Sequence, residues 1–67
     1  MKHLPLVSII IVNYNGQFLL ENCFKSLSEI KYPNTEIILL DNGSSDDSVE
    51  FIEKNYPKTK LIKLGKN

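Results

Sequence analysis

The sequence contains no arginine and no tryptophan, and it has one cysteine and one histidine in 67 residues. A single cysteine, Cys23, excludes an internal disulfide, and Cys23 with His3 supplies too few ligands for a Cys/His zinc site. Eight lysines balance eight acidic residues, which excludes a strongly basic nucleic-acid-binding module. The chain therefore lacks the disulfides and metal centres that stabilise many small folds.

Apolar residues make up 42% of the chain and include three Phe and three Tyr, which is typical of a globular fold. The length suffices for one small domain with a marginal core, since such a chain buries only about 60% of its unfolded surface. Low cysteine content predicts a cytoplasmic protein. The longest apolar run, residues 7–12, is far shorter than the roughly 20 residues that a membrane helix needs.

Strands and helices alternate along the sequence. Residues 7–12 and 36–41 are short runs that are apolar on both sides and rich in β-branched residues, which predicts two buried strands. Residues 17–30 carry apolar side chains at helical spacing, as does the segment before Pro57, so two amphipathic helices are predicted. Residues 59–64 alternate between apolar and lysine side chains, a pattern that favours an edge strand.

Each predicted helix has one apolar stripe. Cys23 lies beside the first stripe and is predicted to belong to the core. Ser44 or Ser45 is expected to cap the second helix, with Asp46 and Asp47 near the positive end of its dipole. The stripes consist of Leu20, Phe24 and Leu27 in the first helix and Val49, Ile52 and Tyr56 in the second.

The alternation of strands and helices along the chain implies a three-stranded parallel α/β sheet with right-handed crossovers and the strand order 3-2-1. Crossovers that keep stepping in one direction place both helices on the same face of the sheet. Half of the apolar strand residues would then lie on an uncovered face, which is typical of a surface that binds a partner. We expect more chain, or a second copy of this one, to cover it. The residues concerned are Ile9 and Ile11 or Ile10 and Val12, together with Ile37 and Leu39 or Ile38 and Leu40.

Two loops follow the first two strands, at the edge where open parallel sheets bind ligands. Tyr14, in the first loop, offers an aromatic face for a planar ring, and Asp41 offers a carboxylate that accepts hydrogen bonds from ring N–H or ribose hydroxyl groups. These residues predict a nucleoside pocket. Spacing alone is equally compatible with Tyr14 packing over its own loop and with Asp41 forming a turn.

Other chemistries have weaker support at this edge. Gly43-Ser44-Ser45 opens a helix and could bind an anion, but neither a P-loop nor a dinucleotide fingerprint is present. Asp46 and Asp47 could attract a metal, although stabilisation of the helix dipole explains them better. A calcium loop starting at Asp41 is excluded because glycine is third rather than sixth.

Residues 7–15 and 36–46 together resemble the start of an inverting family 2 glycosyltransferase, and the resemblance covers nearly the whole chain. In that family a strand ending in a Tyr-Asn loop precedes a helix, and a second strand ends in Asp-Asp-Gly-Ser or Asp-Asn-Gly-Ser. Residues 41–44 have the Asp-Asn-Gly-Ser form, which is similar to the rhamnosyltransferase-like branch. The resemblance implies a GT-A, Rossmann-like fold, of which residues 1–67 would be a single incomplete sugar-nucleotide-binding subdomain.

The resemblance also implies a function: transfer of a sugar from a UDP-, TDP- or GDP-sugar to an acceptor hydroxyl, in the cytoplasm or at the inner face of the membrane. The Mn or Mg ion that holds the diphosphate, and the carboxylate general base, are expected beyond residue 67, so the chain alone should be inactive, with no catalytic or metal-binding residue of its own. The nucleotide-binding residues would be Val12, Tyr14 and Asp41, with Asn13, Asn15 and Asn42 nearby.

Two alternatives remain open. The first is a non-catalytic interaction or assembly module that uses the uncovered sheet face and binds no ligand. The second is a small phosphoacceptor domain with Asp41 at a strand end, although Val12-Asn13 stands where such domains carry an acidic pair.

Overall fold

A computed structural model describes residues 4–65, so His3 lies outside the described part of the chain. The predicted β-α-β-α-β order is confirmed. The elements are β1 (Val7–Asn13), α1 (Gln17–Leu27), β2 (Thr35–Asp41), α2 (Ser48–Asn55) and β3 (Lys60–Lys63).

The three strands form one parallel sheet with β2 in the middle, which confirms the predicted strand order. β1 pairs with β2 from Val7 opposite Thr35 to Asn13 opposite Asp41. β3 pairs with β2 over a shorter stretch that ends with Lys63 opposite Asp41. The carboxyl ends of all three strands therefore lie at the same level, and the loops that follow β1 and β2 emerge side by side.

The core lies between the two helices and one face of the sheet. Leu20 and Phe24 of α1, Leu39 of β2 and Ile52 of α2 are buried together. The Phe24 ring lies 5.0 Å from that of Tyr56, which connects the helices directly. Both helices therefore cover the same face, as predicted. Residues that pack around this centre are Ile11, Ile37, Phe51, Tyr56 and Leu61.

Two predictions about α1 are wrong. The helix ends at Leu27 rather than Ile30, and the hydroxyl of Ser28 donates a hydrogen bond to the carbonyl of Lys25 (2.7 Å) at this end. Cys23 is exposed rather than part of the core. A three-stranded sheet is narrow, so it buries only the side of α1 that carries Leu20 and Phe24. Cys23 lies about 100° around the helix from Phe24 and therefore remains exposed.

The predicted start of α2 is also wrong. The helix begins at Ser48 with Asp47 as its N-cap residue, so neither Ser44 nor Ser45 caps it. Asp46 accepts hydrogen bonds from the backbone N–H of Ser48 (2.9 Å) and from its hydroxyl. An aspartate two residues before the helix thus replaces the expected serine cap.

The face of the sheet away from the helices is uncovered within residues 4–65. Ile10 is 61% exposed and Val12 68% exposed, and the register places them beside Ile38 and Leu40 of β2. Ile62 of β3 continues this row beside Leu40 and is also exposed. Of the alternatives given above, the uncovered residues are therefore Ile10 and Val12 with Ile38 and Leu40. We call this surface, with Ile62, the open face.

Candidate functional site

The loops after β1 and β2 are joined by hydrogen bonds at the carboxyl edge of the sheet. The side-chain oxygen of Asn15 accepts hydrogen bonds from the backbone N–H groups of Ser45 (2.7 Å) and Asp46 (3.2 Å). In return, the backbone N–H of Asn15 donates to the hydroxyl of Ser44 (2.8 Å). Asn15 has a left-handed backbone with φ of 50°, a conformation that asparagine tolerates better than most residues. The two loops thus form one connected surface.

Asp41 is the centre of this network and is only 3% exposed. Its Oδ1 accepts hydrogen bonds from the side-chain amide of Asn13 (2.9 Å) and the hydroxyl of Ser44 (2.7 Å). Its Oδ2 accepts one from the backbone N–H of Ser44 (2.9 Å). Burial raises the pKa of Asp41, but the hydrogen bonds from Ser44 and Asn13 lower it by more, so the net shift is downward. Asp41 is therefore a buried, ionised turn residue.

Asn13 has a larger structural role than its sequence position indicates. Its side chain is nearly buried, donates to both Asp41 and Ser44, and accepts a hydrogen bond from the backbone N–H of Gly16 (3.2 Å). A Cβ atom on Gly16 would lie 2.9 Å from this Asn13 oxygen, so a larger residue there would push the Asn13 side chain away from its hydrogen bonds. The sequence does carry a signal for this role of Asn13, because it is a polar residue at the end of an apolar strand, as Asp41 is on the neighbouring strand.

The other predicted residues lie at the same edge but not around the Asp41 carboxylate. Side chains alternate along a strand, so Val12 points to the open face whereas Asn13 points to the helix side. The backbone N–H of Asn42 donates to the carbonyl of Asn13 (2.8 Å) and continues the ladder, which places Asn42 on the face of Val12. Tyr14 is 54% exposed beyond the end of β1. The structure thus groups Asn13 with Asp41, and Val12 with Asn42.

The anion and metal alternatives do not fit this loop. The N–H groups of Ser44 and Ser45 already donate to Asp41 and Asn15, so they are not free for an anion. The Asp46 carboxylate accepts hydrogen bonds from Ser48 and from the backbone N–H of Gln17 (3.2 Å), and the hydrogen bond from the Ser48 hydroxyl is the main cause that lowers its pKa. Across residues 4–65, no three His, Cys, Asp or Glu side chains are grouped to hold a metal ion.

A cleft of about 420 Å³ lies at the opposite end of the sheet, between the start of β2 and residues 55–59. It is far from the loops that carry the predicted nucleotide-binding residues. In the described part of the chain, no helix has both the length and the apolar character needed to cross a membrane.

The chain is similar to known proteins along nearly its whole length. Residues 8–67 match the sequence model of the family described as Glycosyl transferase family 2. The chain belongs to this family, and its three parallel strands and two helices are consistent with the N-terminal half of a GT-A domain.

Similar curated proteins carry glycosyltransferase names. An uncharacterized glycosyltransferase of Haemophilus influenzae is 40% identical over 62 residues, which are 92% of this chain and 25% of that protein. A Campylobacter jejuni protein named GalNAc(5)-diNAcBac-PP-undecaprenol beta-1,3-glucosyltransferase is 36% identical over 96% of this chain and 21% of its own length. Chondroitin synthase of Escherichia coli is 31% identical over 92% of this chain and 10% of its own length. The chain thus spans a quarter or less of these relatives.

Proposed function

We propose that this chain is the nucleotide-binding portion of a glycosyltransferase that transfers a sugar from a nucleotide-diphosphate donor to an acceptor hydroxyl. The observation that carries the proposal is the hydrogen-bonded junction of the two loops at the carboxyl edge of the sheet. This edge is where open parallel sheets bind ligands, and the chain's family transfers sugars. Residues 1–67 would form one incomplete sugar-nucleotide-binding subdomain.

Each proposed binding residue has a physical role. Tyr14 presents an exposed ring on which a base can stack, and Val12 adds an apolar wall on the open face. Asp41 Oδ1 already accepts two hydrogen bonds, but Oδ2 accepts one and retains an acceptor position for a ring N–H or a ribose hydroxyl. The Asn42 side-chain amide, on the face of Val12, offers a donor and an acceptor to the same base.

We also propose that the chemical step uses groups outside this chain. Transfer needs a base for the acceptor hydroxyl and a clamp on the leaving diphosphate. The only adjacent acidic pair here, Asp46 and Asp47, lacks a third ligand and Asp46 is already hydrogen-bonded. We propose that the Mn or Mg site and the general base belong to other parts of a longer protein, and that this chain alone is inactive. The proposed location is the cytoplasm or the inner face of the membrane.

Titration of the chain with UDP, TDP and GDP, with and without Mg²⁺, tests nucleotide binding. We expect amide NMR shifts centred on Tyr14 and Asn42, and about tenfold weaker binding of Tyr14→Ala because one stacking contact is worth roughly 1–3 kcal/mol. Ile30→Ala is the control, since Ile30 is an exposed apolar residue beyond the C-terminal end of α1, at the other end of the sheet from the loops. Absence of shifts at millimolar nucleotide would contradict the proposal.

A second candidate, a non-catalytic assembly module, is favoured by the open face. Five apolar side chains from three adjacent strands form this surface without a covering layer in the described part of the chain, and Ile10 and Val12 are its most exposed members. The open face would be buried by a second copy of the chain, or by additional polypeptide of the kind that the longer relatives contain. The two candidates overlap at Val12, because a layer over the open face would also cover this apolar wall of the proposed base site.

A further inference from the structure

We infer that Ser44 and Asn15 are positioning residues that hold the two loops in the nucleotide-binding arrangement. The inference rests on the proposed nucleotide-binding function and adds to it the residues that hold the binding groups in position. We call this residue pair the loop latch. It joins residues that are 29 positions apart in the sequence.

The Ser44 hydroxyl has no capacity left for a ligand. A serine hydroxyl offers one donor and two acceptor positions. Its donor goes to Asp41 Oδ1 (2.7 Å), and its acceptor positions are filled by the Asn13 amide (3.1 Å) and the Asn15 backbone N–H (2.8 Å). All three bonds are internal, so the hydroxyl can act on a nucleotide only through the groups that it orients.

Asn15 completes the latch from the other loop. Its side-chain oxygen accepts two backbone N–H groups, from Ser45 and Asp46, so its acceptor capacity is also filled. The left-handed backbone at Asn15 brings its N–H and its side-chain oxygen to the facing loop together. A residue with a short amide or carboxylate side chain is needed here, because the same position must tolerate positive φ and accept both bonds.

The latch acts on the two groups that would contact a base. Tyr14 lies between Asn13 and Asn15, and both of these residues are bonded to Ser44, so the path of the Tyr14 backbone is fixed on each side. Asp41 is held by the hydroxyl and the N–H of Ser44, which directs the open position of Oδ2. Loss of the latch should therefore weaken nucleotide binding even when the sheet and core remain folded.

The first test compares Ser44→Ala with Ser44→Thr in UDP titrations. Ser44→Ala removes three hydrogen bonds and should weaken binding by about tenfold, the effect of roughly one net hydrogen bond. Ser44→Thr keeps the hydroxyl and should restore most of the affinity. Ser8→Ala is the matched control, since it removes a bond between β1 and β2 side chains (Ser8 to Glu36, 2.6 Å) far from the loops, and UDP affinity should not change.

Asn15 supplies a second pair of variants in case Ser44→Ala unfolds. Asn15→Gly keeps access to positive φ but loses the acceptor, and it should weaken UDP binding to a similar extent. Asn15→Asp keeps the acceptor oxygen for both N–H groups and should bind UDP more tightly than Asn15→Gly. Equal UDP affinity in the unmodified chain, Ser44→Ala and Asn15→Gly would overturn the inference.

A readout without nucleotide separates the latch from the proposed function. Carbon NMR titration of the Asp41 carboxyl should show a higher pKa in Ser44→Ala, because a hydrogen bond to the ionised form is lost, and no change in Ser8→Ala. The other charged groups near Asp41 are Asp46 in the same loop and Lys63, which lies opposite it on β3. An unchanged Asp41 pKa in Ser44→Ala would overturn the inference. Failure of the unmodified chain to bind any nucleotide would instead contradict the proposed function.

Discussion

At the scale of single residues, the site depends on polar side chains that the fold buries. Asn13 and Asp41 end adjacent strands, and both point to the helix side of the sheet, where bulk water is largely excluded. A buried carboxylate is tolerated only when hydrogen bonds compensate for lost hydration, and three donors from Asn13 and Ser44 do so here. The prediction from sequence identified Asp41 but not this function of Asn13 and Ser44.

The lowered pKa of Asp41 predicts a loss of stability in acid. Because its native pKa lies below its ordinary value of 3.8, Asp41 contributes stability above that value, and the contribution is lost as pH falls through the native pKa. Glu36 and Asp46 act in the same direction, since hydrogen bonds from Ser8 and Ser48 lower their pKa values.

Urea unfolding measured from about pH 6 to about pH 3 checks this expectation. The free energy of unfolding of the unmodified chain should fall across this interval. Asp41→Asn should be less stable at neutral pH and should depend less on pH, whereas the exposed, non-titrating control Phe18→Ala should retain the full dependence. A pH dependence that is identical in Asp41→Asn and the unmodified chain would contradict the assignment.

At the scale of elements, the strands and helices follow from the apolar pattern, whereas their ends and the loop geometry do not. Apolar runs and helical spacing predicted the five elements and their order because each pattern is local. The predictions for the start of α2 and for Cys23 are wrong because both depend on distant partners: Ser44 is engaged by Asn13 and Asn15, and a narrow sheet leaves Cys23 uncovered. No local pattern encodes bonds across 29 residues.

Replacing phenylalanine by alanine on the two faces of α1 should have effects of very different size on stability. Phe24 is 1% exposed at the centre of the core, and Phe24→Ala should cost about 3–5 kcal/mol, most of the stability that a domain of this size possesses. Phe18 is 76% exposed, and Phe18→Ala should change the free energy of unfolding by less than about 0.5 kcal/mol. Urea unfolding by circular dichroism measures both. Comparable losses in the two variants would refute the described orientation of α1.

At the scale of the whole molecule, the open face makes self-association the expected behaviour of the isolated chain. Burying apolar surface of this kind against a partner is favourable. Each Å² removed from water contributes about 25 cal/mol of stabilising free energy. Sedimentation at micromolar concentration should show reversible association of the unmodified chain, which Ile10→Lys should shift toward monomer.

The matched control for this experiment is Phe18→Lys, because it adds the same charge on the other side of the molecule, where Phe18 of α1 is exposed. It should leave the association of the chain unchanged. A monodisperse monomer of the unmodified chain at micromolar concentration would exclude self-association through the open face.

The latch has a further consequence for the order in which parts of the molecule fold. Every side-chain hydrogen bond described at the carboxyl edge joins residues within 13–48, and none involves β3. Loop closure across 29 residues costs little more entropy than closure of shorter loops, so β1 and β2 can bring these groups together early. During folding, the loop junction can therefore form before β3 is added to the sheet.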